Sequence, residues 1–134
     1  LAALTALWVA PATAVAHPHV WVTYETTIVY DKGTVTGVGH IWTFDDMYTS
    51  MAIQGLDTNK DGTYSREELA ELTKINIDGL KEFNYFTDAR LGSAQLAFQA
   101  PKDAWLEHSN NILRLHFFLP LEKPVLSDAE GLTI

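Results

Sequence analysis

Asp57-Thr58-Asn59-Lys60-Asp61-Gly62-Thr63-Tyr64-Ser65-Arg66-Glu67-Glu68 is the stretch from which the rest of the chain can be read. Asp57, Asn59 and Asp61 stand at its first, third and fifth positions, where short oxygen-bearing side chains line one concave wall. Gly62 follows at the sixth, where the backbone must turn sharply and a Cβ is costly. Thr63 offers its carbonyl at the seventh, Ser65 an oxygen or a bound water at the ninth, and Glu68 a bidentate carboxylate at the twelfth. All of these are hard oxygen donors, which suit Ca²⁺ far better than metals that favour nitrogen and sulfur.

The spacing matches the EF-hand loop, D-x-[DN]-x-[DN]-G-x5-E, at every defined position. Three carboxylates in one empty loop repel one another, so an occupied calcium site is expected. The plainer reading is a polar, Gly-containing turn between two helices. Ser65 and Glu68 form an S-x-x-E capping box, which starts a helix under either reading. Working outward, Asp45 or Asp46 is expected to cap an entering helix that runs to about Leu56, with Met47, Met51, Ala52 and Leu56 as its apolar stripe. An exiting helix is expected from Ser65 to about Asn84, with Leu69, Leu72, Ile75, Leu80 and Phe83 at helical spacing and Gly79 as a tight packing point. The whole unit covers about residues 45–83.

Strand patterns flank it. Val20, Val22, Tyr24, Thr26, Ile28 and Tyr30 alternate with Trp21, Thr23, Glu25, Thr27 and Val29, and the Asp31-Lys32-Gly33 turn returns the chain as a second strand over 34–42. Pairing Tyr30 with Thr34 places Tyr24 opposite His40 and Val22 opposite Trp42. Gly37 and Gly39 mark a close approach or a bulge. Four further strands are expected over 85–91, 94–99, 104–108 and 111–119, the last presenting Leu113, Leu115, Phe117 and Leu119 on one face. Pro120 and Pro124 are expected to end it, and residues 132–134 look like a strand beginning. The fold class is α+β: an antiparallel β-sheet with an inserted EF-hand helix–loop–helix.

The 134 residues suit one domain. Residues 1–16 are apolar, uncharged and end Ala14-Val15-Ala16, as a partial signal peptide with its cleavage site does. Pro11 and the short span argue against a membrane anchor, so the remaining 17–134 domain is expected to be exported and not itself membrane-spanning. With no cysteine, an exported domain this small has no disulfide, and a bound ion can take over part of that role. The net charge of −8 argues against nucleic acid as a partner and is compatible with cations. There is no phosphate-binding glycine loop, no nucleophile elbow and no cysteine nucleophile, so the chain reads as a non-enzyme. Trp21, Trp42, Phe44, Met47 and Met51 read as core.

His17-Pro18-His19-Val20-Trp21-Val22, Trp42-Thr43-Phe44-Asp45-Asp46, Gln54-Gly55-Leu56-Asp57, the helix residues Asn76, Leu80 and Phe83, and Phe117-Phe118-Leu119-Pro120-Leu121 occur in that order. Together they resemble a family of uncharacterised bacterial periplasmic proteins labelled "ABC-type transport system, periplasmic component", a domain-of-unknown-function family. Its members tend to be longer, so the chain is expected to be truncated at the C-terminus. They are often encoded beside nickel/cobalt-type membrane transporters, so the resemblance implies periplasmic metal handling with such a transporter as partner.

The histidines supply candidate ligands for a second site. Cleavage after Ala16 would make His17 the first residue, pairing its α-amino group with its imidazole. His19 lies two residues on and His40 on the neighbouring strand; imidazoles suit Ni²⁺, Co²⁺ or Zn²⁺. Pro18 has no N–H and disfavours a chelate through deprotonated backbone amides. The plainer reading is a solvated terminus, with His40 stacked on Tyr24. The expected function is a calcium-binding periplasmic accessory protein linked to transition-metal transport or delivery. The alternative is a calcium-stabilised interaction module of a membrane transporter with no transition-metal site.

Overall fold

The computed structural model describes residues 20–134; the expected signal peptide and both His17 and His19 lie outside the described residues. The described chain is mixed helix and antiparallel sheet. Strand β1 (Val22–Asp31) and β2 (Thr34–Phe44) form a hairpin, followed by helices α1 (Asp46–Ala52) and α2 (Ala70–Lys81). Then come β3 (Arg90–Leu91), β4 (Ala94–Gln95), β5 (Lys102–Ser109), β6 (Ile112–Leu126) and β7 (Leu132–Thr133). The main sheet has the order β1-β2-β6-β5, and a small second sheet has the order β4-β3-β7.

Strand β6 is the spine. Its inward residues Leu113, Leu115, Phe117 and Leu119 are all buried, as their alternation requires, and they form one core with Phe44, Leu69, Tyr85 and Leu106. Helix α1 lies over this face through Tyr48 and Ala52, and α2 through Leu72, Ile77 and Leu80, with Leu69 just before it. A smaller cluster of Val35, Ala89 and Leu121 ties the second sheet to the first.

The structure corrects several sequence expectations. The hairpin loop is two residues, Lys32 and Gly33, both left-handed at φ 48° and 78°, and not three. A bulge between Val29 and Tyr30 adds one more step, so Tyr24 faces Trp42 and Thr26 faces His40. The total slip is two residues, which preserves the faces. Strand β6 does not stop at Pro120 but runs on to Leu126. Pro120 stays in register opposite Gly37, where a Cβ would lie 2.7 Å from the Phe118 ring, and the register shifts just beyond that pair, between Gly37 and Val35 of β2. That close approach bears out Gly37.

Helix α1 is short, ending near Ile53 before the left-handed Gly55 (φ 77°), and not at Leu56. The regular part of α2 ends at Lys81, and Gly79 meets nothing within 4 Å, so it is not a packing point. The strand expected over 85–91 shrinks to Arg90–Leu91, because Asn84, Tyr85 and Phe86 turn left-handed in succession. Trp21, Met47 and Met51 are exposed, against the expectation of core; Phe44 is buried as expected, and Trp42 is half-buried. The face of α1 explains the methionines: Tyr48, Thr49 and Ala52 turn to the sheet, with Thr49 Oγ1 accepting from the Leu113 N–H, and Met47 and Met51 lie on the outer face.

Candidate functional site

The residues of the 57–68 loop hold one another through hydrogen bonds that follow the expected positions. Asp57 accepts from the N–H groups of Asp61 (3.1 Å) and Gly62 (3.0 Å). The Asn59 side-chain oxygen accepts from the Asp61 N–H, and Asp61 accepts from both the N–H and the hydroxyl of Thr63. Gly62 is left-handed at φ 82°, which is why glycine is needed there. Glu68 closes the loop: Oε1 accepts from the Thr58 N–H (2.8 Å) and hydroxyl, and Oε2 from the Ser65 N–H and hydroxyl (3.0 Å each). The Ser65 hydroxyl accepts in turn from the Glu68 N–H, completing the capping box.

These donors set the electrostatics. The Ser65 N–H, followed by the Thr58 hydroxyl, pulls the Glu68 carboxyl down to about 2. The Thr63 hydroxyl and N–H lower Asp61, against an opposing push from the Glu68 charge. Asp61 therefore feels the Glu68 charge across the loop. Both stay ionised at neutral pH, as oxygen ligands for a hard cation must. Among the described residues, no three His, Cys, Asp or Glu side chains stand together as a ready metal set. The other oxygens of the loop pattern belong to Asn59, Thr63 and Ser65.

The loop is fastened to the sheet. Tyr64, half-buried, meets His108 of β5 edge-on at 4.7 Å, and the Arg66 guanidinium lies 3.6 Å from the Trp105 ring centroid. Trp105 stacks on His116 at 4.1 Å, and His116 contacts Glu107 at 3.1 Å. Leu69, one residue past the loop, is fully buried.

His40 lies elsewhere, far along β2, in the floor of a cleft of about 580 Å³ lined by Trp21, Tyr24, Thr26, Trp42, Tyr85 and Phe86 among others. It is 6% exposed and stacks on Phe117, not on Tyr24. The Thr87 hydroxyl donates to the Tyr85 carbonyl (2.9 Å), so it can only accept from His40 Nε2 (3.0 Å). Nε2 therefore carries the proton, and Nδ1 accepts from the Thr26 hydroxyl (3.2 Å). Burial lowers the pKa of His40, consistent with this neutral form. With both nitrogens engaged, His40 could ligate a metal only by releasing one threonine. Val20 and Trp21 line the same cleft.

Sequence reasoning missed the wall of this cleft. Asn84, Tyr85 and Phe86 sit at φ 51°, 53° and 49°, each costing roughly 1 kcal/mol or more. The strain is held by Asn84 Nδ2 donating to the Thr87 carbonyl and by the Thr87–His40 contact. The turn lays Phe86 against Trp42 (5.6 Å) and Phe83 (5.2 Å) while leaving Phe86 66% exposed. The Tyr-Phe pair reads as strand in sequence, and only tertiary contacts reverse it.

Comparison with known proteins adds one partial relative. A 65-residue stretch is 34% identical to the "Uncharacterized 15.5 kDa protein in trpE 3'region" of Spirochaeta aurantia, covering 48% of this chain and 46% of that protein. The chain thus spans about half the length of the curated relative it matches. No solved structure matches. The family described as "Protein of unknown function (DUF1007)" matches residues 2–134, and the chain belongs to it.

Proposed function

We propose that this chain is a calcium-binding, EF-hand-containing interaction domain of the bacterial cell envelope, in which Ca²⁺ at Asp57, Asn59, Asp61, Thr63, Ser65 and Glu68 braces the helices against the sheet. The single observation that carries the reading is the complete twelve-residue ligand pattern, with Gly62 left-handed and Glu68 bridging the two ends of the loop. The clamp of Tyr64 and Arg66 on β5 supports a structural role over a sensor role. A sensor hides an apolar groove that calcium opens, whereas the α1 methionines are already exposed. The exposed aromatics around the His40 cleft favour a domain that contacts a partner.

The resemblance read from the sequence and the apolar 1–16 segment support export to the periplasm and a membrane metal transporter as that partner. A second reading, delivery of Ni²⁺, Co²⁺ or Zn²⁺ through His17, His19 and His40, is favoured by His40 lining the same cleft as Val20.

The test is calorimetric titration of Ca²⁺ into wild type and Glu68→Gln. Removing one charge from the twelfth position is expected to weaken binding at least about tenfold, the equivalent of 1.4 kcal/mol. Unchanged affinity would mean the ion sits elsewhere. Titration of Ni²⁺ into the calcium-loaded protein then separates the readings: binding lost in His40→Gln supports delivery, and no binding leaves the interaction domain.

A further inference from the structure

Among the described residues, strand β1 is an edge with little protection beyond the charge of Glu25. Of its ten residues only Val22 and Val29 are even half-buried; the other eight are exposed, including Tyr24, Ile28 and Tyr30. Among the described residues, no strand pairs with its outer side. Natural edges are protected by lysine, proline, a central bulge or a covering element. Strand β1 contains no lysine or proline, and its bulge lies at the far end, between Val29 and Tyr30. The His40 cleft opens where the sheet outruns its cover: the strained Tyr85-Phe86 turn reaches Trp42 of β2, while Val22, Tyr24 and Thr26 of β1 form the other wall. A row of unpaired backbone groups next to an aromatic hole is the arrangement that accepts an added strand, the backbone giving affinity and the hole selecting one side chain.

The electrostatics choose the occupant. The charges on β1 are Glu25 and Asp31, both acidic, and no lysine or arginine lines the cleft. The chain carries a net −8, so a second copy would set −8 against −8 and bring acidic edges together. We propose that β1 receives an extended, basic, alternately apolar segment of a partner protein as a fifth strand, with one of its apolar side chains seated between Tyr24, Trp42 and Phe86. This rests on the interaction-domain reading and names the chemistry of its partner.

The test uses the calcium-loaded chain and a peptide of about nine residues alternating lysine and valine, with phenylalanine at the centre. Two further versions are methylated on the backbone nitrogens of either the lysines or the apolar residues. A strand pairs through the amides of one parity, so one methylated peptide is expected to lose at least about tenfold in affinity while the other binds as the parent does. Phe86→Ala, at an exposed position, is expected to weaken the parent peptide by a similar factor, and bound peptide to slow hydrogen exchange across β1. Equal binding of both methylated peptides would reduce the contact to charge and overturn the proposal. So would no binding at all, or a dimer of the chain by sedimentation that peptide does not dissolve. Calcium affinity measured on the same sample keeps the two readings apart: peptide failure with calcium intact sinks only the added strand, and calcium failure with parity-selective peptide binding leaves the added strand standing.

Discussion

Glu68 and His40 both tie the stability of this fold to acid, from different starting pH values. Glu68 is held down to about 2 by the Ser65 and Thr58 donors, below its ordinary 4.5. A carboxylate depressed in the fold contributes stability that is fully present above the unfolded value and is lost as pH falls through the folded one. The Glu68 contribution in metal-free protein is therefore expected to disappear between about pH 4.5 and 2. His40 is also lowered, by burial, from 6.5. Below 6.5 the unfolded chain takes up a proton that folded His40 refuses, so its loss begins at milder acidity and also grows as pH falls. Melting curves of calcium-free protein across pH 2–8 are the measurement. Glu68→Gln should lessen the loss below about pH 4.5, and His40→Gln the loss that begins at 6.5. If Glu68→Gln leaves the acid limb unchanged, the loop hydrogen bonds do not matter to the fold. Glu68 was legible in the sequence because its role follows from spacing alone. The His40 contacts were not: they depend on Thr87, 47 residues away, and on a left-handed turn that residue preferences argue against.

Elements show the same division between local and distant causes. Strand β6 could be read from its alternation, and all four expected core residues are buried; Leu115→Ala is expected to cost about 2–5 kcal/mol by urea unfolding, since its site is closed on every side. The extent of β6 could not be read. Two prolines argue for a stop, yet Pro120 pairs in register with Gly37, and the register shift just beyond it lets the strand resume at Val125 opposite Val35. The helix ends were misplaced by local events, a left-handed Gly55 and the Asn84 reversal. The exposed Met47 and Met51 follow from the phase of α1, whose buried face is Tyr48, Thr49 and Ala52. The join between loop and sheet was invisible in sequence because Tyr64 and Arg66 read as filler between ligands. Tyr64→Ala removes the contact with His108 and is expected to destabilise the chain by about 1–2 kcal/mol and to lower calcium affinity as well. Calorimetric and thermal measurements on that variant should move together. A drop in stability with calcium affinity unchanged would show that the loop keeps its shape without the sheet.

At the scale of the whole molecule, the problem is how a small cysteine-free domain with a half-covered sheet stays folded. The helices rest on one face of β2, β6 and β5, and β1 hangs beyond them, so the packed core is modest for the chain length. The 57–68 loop joins α1 to α2 and is pinned to β5, which places a bound ion where it would tie both helices to the far edge of the sheet. An ion that binds the folded state alone stabilises it by mass action, about 2.7 kcal/mol at a hundredfold excess over Kd. For a domain near this size, that corresponds to a rise in Tm of roughly 10 °C. Calcium is expected to produce that rise, chelator to reverse it at constant pH, and Mg²⁺, which demands six close octahedral ligands, to produce less. In Glu68→Gln the response should shrink, and in Phe86→Ala it should be kept, because the cleft lies on the opposite side of β2 from the loop contacts on β5 in the strand order. A Tm indifferent to calcium in wild type would remove the ion from the account of stability, and the fold would have to stand on the β6 core alone.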